Sequence, residues 1–182
     1  MLGASAETQP ALKYQLRQIL NAMTVDFAIR KFRGCTVASL TYVGPYKGDE
    51  MMHEEFNRLV SWAKEKKLRT GKWFFIEHDQ DGASERKQRY EACVELKGKA
   101  RSSSGVRIKQ FPETLVASIK FDPKKISPRV IYHGLESWLQ WRKKDKKYVE
   151  TGDWREVYIG DPWTSKRAWA NVELQAPVKK MK

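Results

Sequence analysis

Two stretches of the chain carry apolar residues at the spacing i, i+4, i+7, i+8: Met52, Phe56, Leu59 and Val60, then Ile131, Leu135, Trp138 and Leu139. That spacing sets four side chains on one face of an α-helix. It predicts helices over residues 49–67 and 128–144. Around them, short runs rich in β-branched and aromatic residues predict strands over 25–32, 36–43, 72–76 and 89–96, then over 106–110, 114–121, 154–159 and 168–175. Gly34, Gly71, the stretch DQDGAS and Pro112 mark turns between them.

The second set of elements follows the order of the first. TVASL at Thr36 to Leu40 returns as LVASI at Leu115 to Ile119, 79 residues later. The same offset aligns Ile29 with Ile108, Phe32 with Phe111, and one helical apolar set with the other. TGKW at Thr70 answers TGDW at Thr151, an offset of 81, and CVEL at Cys93 answers NVEL at Asn171, an offset of 78. Small changes of offset are what loop insertions and deletions leave behind. The expected fold is therefore α+β: duplicated strand-helix-strand-strand units forming antiparallel sheet, with one main helix per repeat. The boundaries read as a polar tail with a short helix over 1–24, then a single pseudo-twofold domain over 25–178. Within it, repeat 1 covers about 25–97, a Gly/Ser-rich linker covers 98–105, and repeat 2 covers about 106–178. Each half has one helix to cover one sheet face, so the uncovered faces are expected to border a shared ligand groove.

Composition narrows the function. With 41% hydrophobic and 31% charged residues in 182, the chain is globular in character. No apolar run is long enough to span a bilayer, and the start lacks a signal-peptide pattern, which leads to an expectation of a cytoplasmic protein away from membranes. Two cysteines and three scattered histidines give no metal-ligand spacing, and no cofactor is expected. The net charge of +13 is local: residues 97–147 hold 14 Lys and Arg against 4 Asp and Glu. That basic segment, Lys97 to Lys147, could meet DNA or an acidic protein, although no nucleic-acid motif accompanies it, and a solvated basic helix end is the simpler reading.

Strand alternation indicates what lines the uncovered face. If Val94 and Leu96 point to the helices, Glu91, Cys93 and Glu95 point away. If Val172 and Leu174 point inward, Trp169, Asn171 and Glu173 lie opposite, and Trp154, Glu156 and Tyr158 form a similar set. Aromatic rings beside a carboxylate suit flat, cationic, apolar molecules through stacking and cation–π attraction. The ligand-binding candidates are Tyr46, Trp154, Tyr158, Trp169, Glu173 and Glu95, with Glu173 foremost.

VASLTYVGPYKG (Val37 to Gly48), the amphipathic helix after it and RYEACVEL (Arg89 to Leu96) together resemble the GyrI-like family, the effector-binding domain found in some MerR-type and AraC-type regulators and as stand-alone proteins. The resemblance spans about residues 25–178. It implies an aromatic groove between the repeats and an acid on the last strand that contacts cationic ligands. Glu173 matches that acid and Tyr46 the aromatic of the Gly-Pro-Tyr turn, while DPKK (Asp122 to Lys125) replaces that turn in the second repeat. The 24 residues ahead of the domain are too few for a DNA-reading headpiece, so a stand-alone module that binds or sequesters an amphipathic small molecule is expected. Two alternatives follow from the resemblance. One is a hydrolase of cyclopropane-bearing DNA-alkylating compounds, with Glu173 and Tyr158 as catalytic candidates. The other is an inhibitor or binder of DNA gyrase or nucleic acid through the basic segment.

Overall fold

The computed structural model describes residues 26–45, 48–78 and 88–181. The expected N-terminal helix and Tyr46 lie outside these residues. Nine strands form one antiparallel sheet: β1 (Ala28–Phe32), β2 (Cys35–Val43), β3 (Arg69–Glu77), β4 (Arg89–Lys97), β5 (Arg107–Phe111), β6 (Thr114–Phe121), β7 (Tyr148–Glu150), β8 (Arg155–Tyr158) and β9 (Val172–Lys180). Two 17-residue helices, α1 (Asp49–Glu65) and α2 (Pro128–Lys144), follow β2 and β6. A single short turn of helix, α3 (Lys166–Trp169), precedes β9.

The strand order is β1-β6-β9-β8-β3-β4-β2-β5, with β7 added beside β9. The first strand of each half crosses over: β1 pairs with β6 of the second half and β5 with β2 of the first. At the centre β3 pairs with β8, joining residues 73–76 to 155–158. The sheet therefore closes across the halves at three places, and neither half carries a complete sheet alone.

Helical spacing translates directly into packing. Met52, Phe56 and Leu59 are buried on α1, and Ile131, Leu135 and Leu139 on α2, all in one cluster with Ala38, Leu40, Val94, Ile119 and Leu174 of the sheet. Helix α1 lies on β2, β3 and β4, and α2 on β6 and β7. Neither helix packs extensively against β8, which α2 reaches through Tyr132, so β8 is the least covered strand of the central seam. The opposite face buries a second, smaller cluster of Phe32, Val37, Phe74, Ile76, Cys93, Val116 and Val157. That second core is why β3 and β4 read as continuous apolar runs rather than alternating ones.

Several elements differ from expectation: β7 matches no predicted strand, and β3 starts at Arg69, so Gly71 lies inside a strand rather than in a turn. The stretch predicted as strand from 168 starts as strand only at Val172, because Ser165 caps a helical turn, its Oγ accepting the Ala168 amide at 3.2 Å. Trp169 therefore sits on a helix end and escapes the strand alternation. The Gly/Ser-rich stretch expected as a linker is tied down: Ser103 and Val106 form a β-bridge, and the Trp62 indole donates to Ser103 Oγ at 3.0 Å.

Candidate functional site

The β3/β8 seam opens into a cavity of about 580 Å³ on the helix side of the sheet. At its floor Phe75 of β3 stands opposite Glu156 of β8. Two phenols from different elements donate to the Glu156 carboxylate: Tyr132 of α2 to Oε1 at 3.0 Å, and Tyr158 of β8 to Oε2. A carboxylate has about four acceptor sites, so two phenols fix its plane without exhausting it. Each phenol is held in turn by a ring, Tyr158 by Trp169 (6.1 Å between centroids, 10° between planes) and Tyr132 by Trp154 (5.9 Å, 25°). Across the seam, Phe75 stacks on Tyr90 at 6.0 Å and 11°. Glu77, the β-register partner of Tyr90, adds a second carboxyl to the wall. Burial raises its pKa from the ordinary value. The result is an aromatic box holding one hydrogen-bonded carboxylate and one desolvated carboxyl.

The six residues singled out from the sequence fall in three places. Tyr158 and Trp169 line this groove. Trp154 backs it through Tyr132, its indole donating to Glu150. Glu173 and Glu95 lie on the reverse face, in a separate cavity also of about 580 Å³. Tyr46 falls outside the described residues. A cavity does open on the face opposite the helices, where Glu173 and Glu95 lie, and another opens on the helix side. The second follows from the placement of the helices, which stand over the flanks of the sheet and leave its middle least covered. Sequence reasoning grouped Glu156 with Trp154 and Tyr158 but did not select it, and it missed Tyr90, Tyr132 and Glu77. The period-2 pattern of β8 puts Glu156 and Tyr158 on one face, which is the signal that could have found the acid.

The reverse face holds the buried charges. Arg155 is 6% exposed, with its guanidinium carbon 4.0 Å from the centroid of the Phe32 ring and its Nε donating to Gln175 Oε1 at 2.9 Å. Gln175 donates onward to Glu173 at 3.1 Å. Burial lowers the Arg155 pKa to about 10, which leaves it charged at neutral pH. Glu91, 1% exposed, meets His78 Nε2 at 3.1 Å and Lys109 Nζ at 2.5 Å, and His78 Nδ1 meets Asp153 at 2.7 Å. Burial pushes the Cys35 thiol up to about 11, so it stays protonated and a poor nucleophile.

Part of the basic segment is neutralised by local acids or set against rings. Lys97 pairs with Glu95, Lys109 with Glu91 and Lys147 with Asp145, whereas Arg142 lies against Trp138 and Trp141 at the end of α2. Among the described residues, no cluster of His, Cys, Asp and Glu is placed to hold a metal ion, and no helix is long and apolar enough to cross a membrane.

Comparison with known proteins agrees with this architecture. The family profile of the GyrI-like small molecule binding domain matches residues 26–179. The C-terminal domain of EcmrR superposes with a TM-score of 0.65 at 20% identity, covering 87% of this chain and 100% of that domain. A hydrolase from Listeria innocua superposes with a TM-score of 0.54 at 10% identity, over 88% of this chain and 96% of its own. SAV2435, solved bound to tetraphenylphosphonium, does so with a TM-score of 0.50 at 12% identity, over 85% and 94%. No curated protein matches the sequence.

Proposed function

The chain belongs to the GyrI-like small-molecule-binding domain family, and from that premise we propose that it binds and sequesters amphipathic aromatic cations in the groove over the β3/β8 seam. The observation that carries this reading is the Glu156 carboxylate, held by the Tyr132 and Tyr158 hydroxyls at the floor of an aromatic box. A flat cation entering the box exchanges water for ring faces and meets a carboxylate already oriented, so little ordering cost remains at binding. The two halves that border the groove are, in this proposal, duplicated units of one ancestral repeat, acting in the cytoplasm. Binding of tetraphenylphosphonium, followed by tryptophan fluorescence, tests the reading. Glu156→Gln should weaken it by about tenfold, roughly 1.4 kcal/mol, with Glu173→Gln close to wild type. Equal affinity in wild type and Glu156→Gln would remove the assigned role.

A second reading, hydrolysis of cyclopropane-bearing DNA-alkylating compounds, is favoured by one observation: Glu77, with its raised pKa, shares the groove with Glu156. A carboxyl tuned upward can exchange a proton with water beside a bound substrate. Turnover of such a compound by wild type and not by Glu77→Gln would support catalysis; unchanged compound after prolonged incubation with wild type would leave binding alone.

A further inference from the structure

The reverse-face cavity has the opposite chemistry from the groove. Six cationic side chains and two carboxylates line it. One of those acids is already engaged, since Glu95 pairs with Lys97 and accepts the Lys72 amide at 3.0 Å. The other, Glu173, accepts from Gln175. By contrast Arg30, Arg33, Lys72 and Lys120 form no ion pair among the described residues. Arg155 is one residue removed from the cavity: Phe32 and Gln175, which line it, also contact the Arg155 guanidinium. Its Nη2 is buried with no hydrogen-bond partner among the described residues. A buried guanidinium with a donor unmatched is costly, and a nearby anion offsets that cost.

We propose that this cavity is a second binding site, for a small molecule bearing phosphate or pyrophosphate, held by Arg30, Arg33, Lys72 and Lys120 above the buried Arg155. Several cations with no ion pair among the described residues, gathered around one space, match a ligand with more than one negative charge. Phosphate monoesters carry nearly two near neutral pH, whereas a single carboxylate carries one. The guanidinium forks of Arg30 and Arg33 suit the paired oxygens of phosphate. A volume of about 580 Å³ falls in the range of small-molecule sites. The apolar wall of Phe32 and Val116 leaves room for an organic body beyond the phosphate. This site shares no lining residue with the cation groove, so each can fail without the other.

Calorimetric titration of the full chain with sodium pyrophosphate and with ATP, at low and at moderate salt, tests the proposal. Saturable binding that weakens as salt rises is expected. The Arg33→Ala/Lys120→Ala pair should lose at least about tenfold in affinity, with tetraphenylphosphonium binding and melting temperature close to wild type. Arg155→Met, which replaces the buried charge by an apolar chain, should keep the fold and also weaken the anion. A control pair at the end of α2, Lys143→Ala/Lys144→Ala, should change affinity less than twofold. Absence of pyrophosphate and ATP binding at low salt would overturn the site. So would equal affinity in the Arg33/Lys120 pair, or a loss confined to the α2 control pair. Displacement of the small anions by a short DNA duplex at lower concentration than ATP would assign the face to nucleic acid instead.

Discussion

Phe75 and Glu156 face each other across the β3/β8 ladder, so the floor of the groove is a ring from one half of the chain beside a carboxylate from the other. Neither half can make this pair alone. The seam that joins the sheet is also the place where the helices leave it least covered, and site and fold therefore depend on the same four register pairs, 73–76 with 155–158. A change that slips this register by one residue would send Glu156 to the reverse face and Arg155 into the groove, replacing one of the groove's two carboxyls by a cation.

Trp169 should report the ligand. It lines the groove and stacks on Tyr158 at 6.1 Å, whereas Trp141 is 54% exposed at the end of α2. Quenching of tryptophan emission by tetraphenylphosphonium is expected to fall sharply in Trp169→Phe and to persist in Trp141→Phe. Trp169→Ala, which removes the stacking face altogether, should weaken binding by about 1–2 kcal/mol. Undiminished quenching in Trp169→Phe would place the ligand elsewhere.

Cation binding should weaken in mild acid. Burial raises the pKa of Glu77 above its usual 4.5, so as pH falls through that raised value the groove loses one of its two negative charges before an ordinary glutamate would titrate. Affinity measured between pH 4.5 and 7.5 should decline toward the acid end in wild type. In Glu77→Gln the decline should shrink and the plateau at neutral pH should sit lower. A flat wild-type profile would show that Glu77 does not face the ligand.

Much of this architecture was legible in the residues, for identifiable reasons. The apolar quartets of α1 and α2 give their elements almost to the residue, because Phe56, Leu59, Ile131 and Leu135 are buried and periodicity reports burial. Strand alternation correctly separated Val94 and Leu96 from Cys93 and Glu95. The choice of groove was not legible. Alternation gives two faces but does not say which is the site, and that depends on α1 and α2 standing apart over the seam. Hence alternation alone does not choose between Glu173 on the reverse face and Glu156, on the same strand face as Tyr158. Trp169 was placed by a strand pattern that Ser165 interrupts with a helical cap. The exchange of β1 and β5 between halves has no local signature at all, since pairing partners are chosen by the whole sheet.

Gly34 and Phe56 bracket the stability effects of small substitutions. Gly34, between β1 and β2, has φ +72°, and an added Cβ would lie 2.7 Å from Phe111 O and 2.9 Å from Glu113 N, both backbone atoms. Gly34→Ala should cost about 1–3 kcal/mol from the left-handed backbone and the crowding together. Phe56 is fully buried and stacks on Trp73 at 4.9 Å, so Phe56→Ala should cost about 3–5 kcal/mol through the cavity it leaves. Urea unfolding of the two variants should therefore rank Gly34→Ala above Phe56→Ala in stability, and the opposite order would contradict the packing described.

The Glu91–His78–Asp153 chain should set the pH range of greatest stability. Burial alone would raise the Glu91 pKa, but the bonds from His78 and Lys109 outweigh it and hold the value at about 2. A carboxyl with a depressed folded pKa stabilises the protein above its unfolded value of 4.5 and loses that contribution as pH falls toward 2. The pKa of His78 moves up, through its bond to Glu91 first and then through Asp153, against the opposing effect of burial. Its contribution is complete below 6.5 and is lost as pH rises through the raised folded value. The network therefore contributes most between pH 4.5 and 6.5. Glu91→Gln leaves His78 and Lys109 without their buried counter-charge, and should cost about 3 kcal/mol in that window. Toward pH 2 the cost should shrink, because there the wild type loses the same interactions; above 6.5 it should shrink only in part, because His78 loses its charge while Lys109 keeps its pair with Glu91. Melting temperatures of the two proteins should therefore approach each other toward pH 2 and stay apart in alkali if the network acts as described, and parallel profiles throughout would show that Glu91 is merely packed.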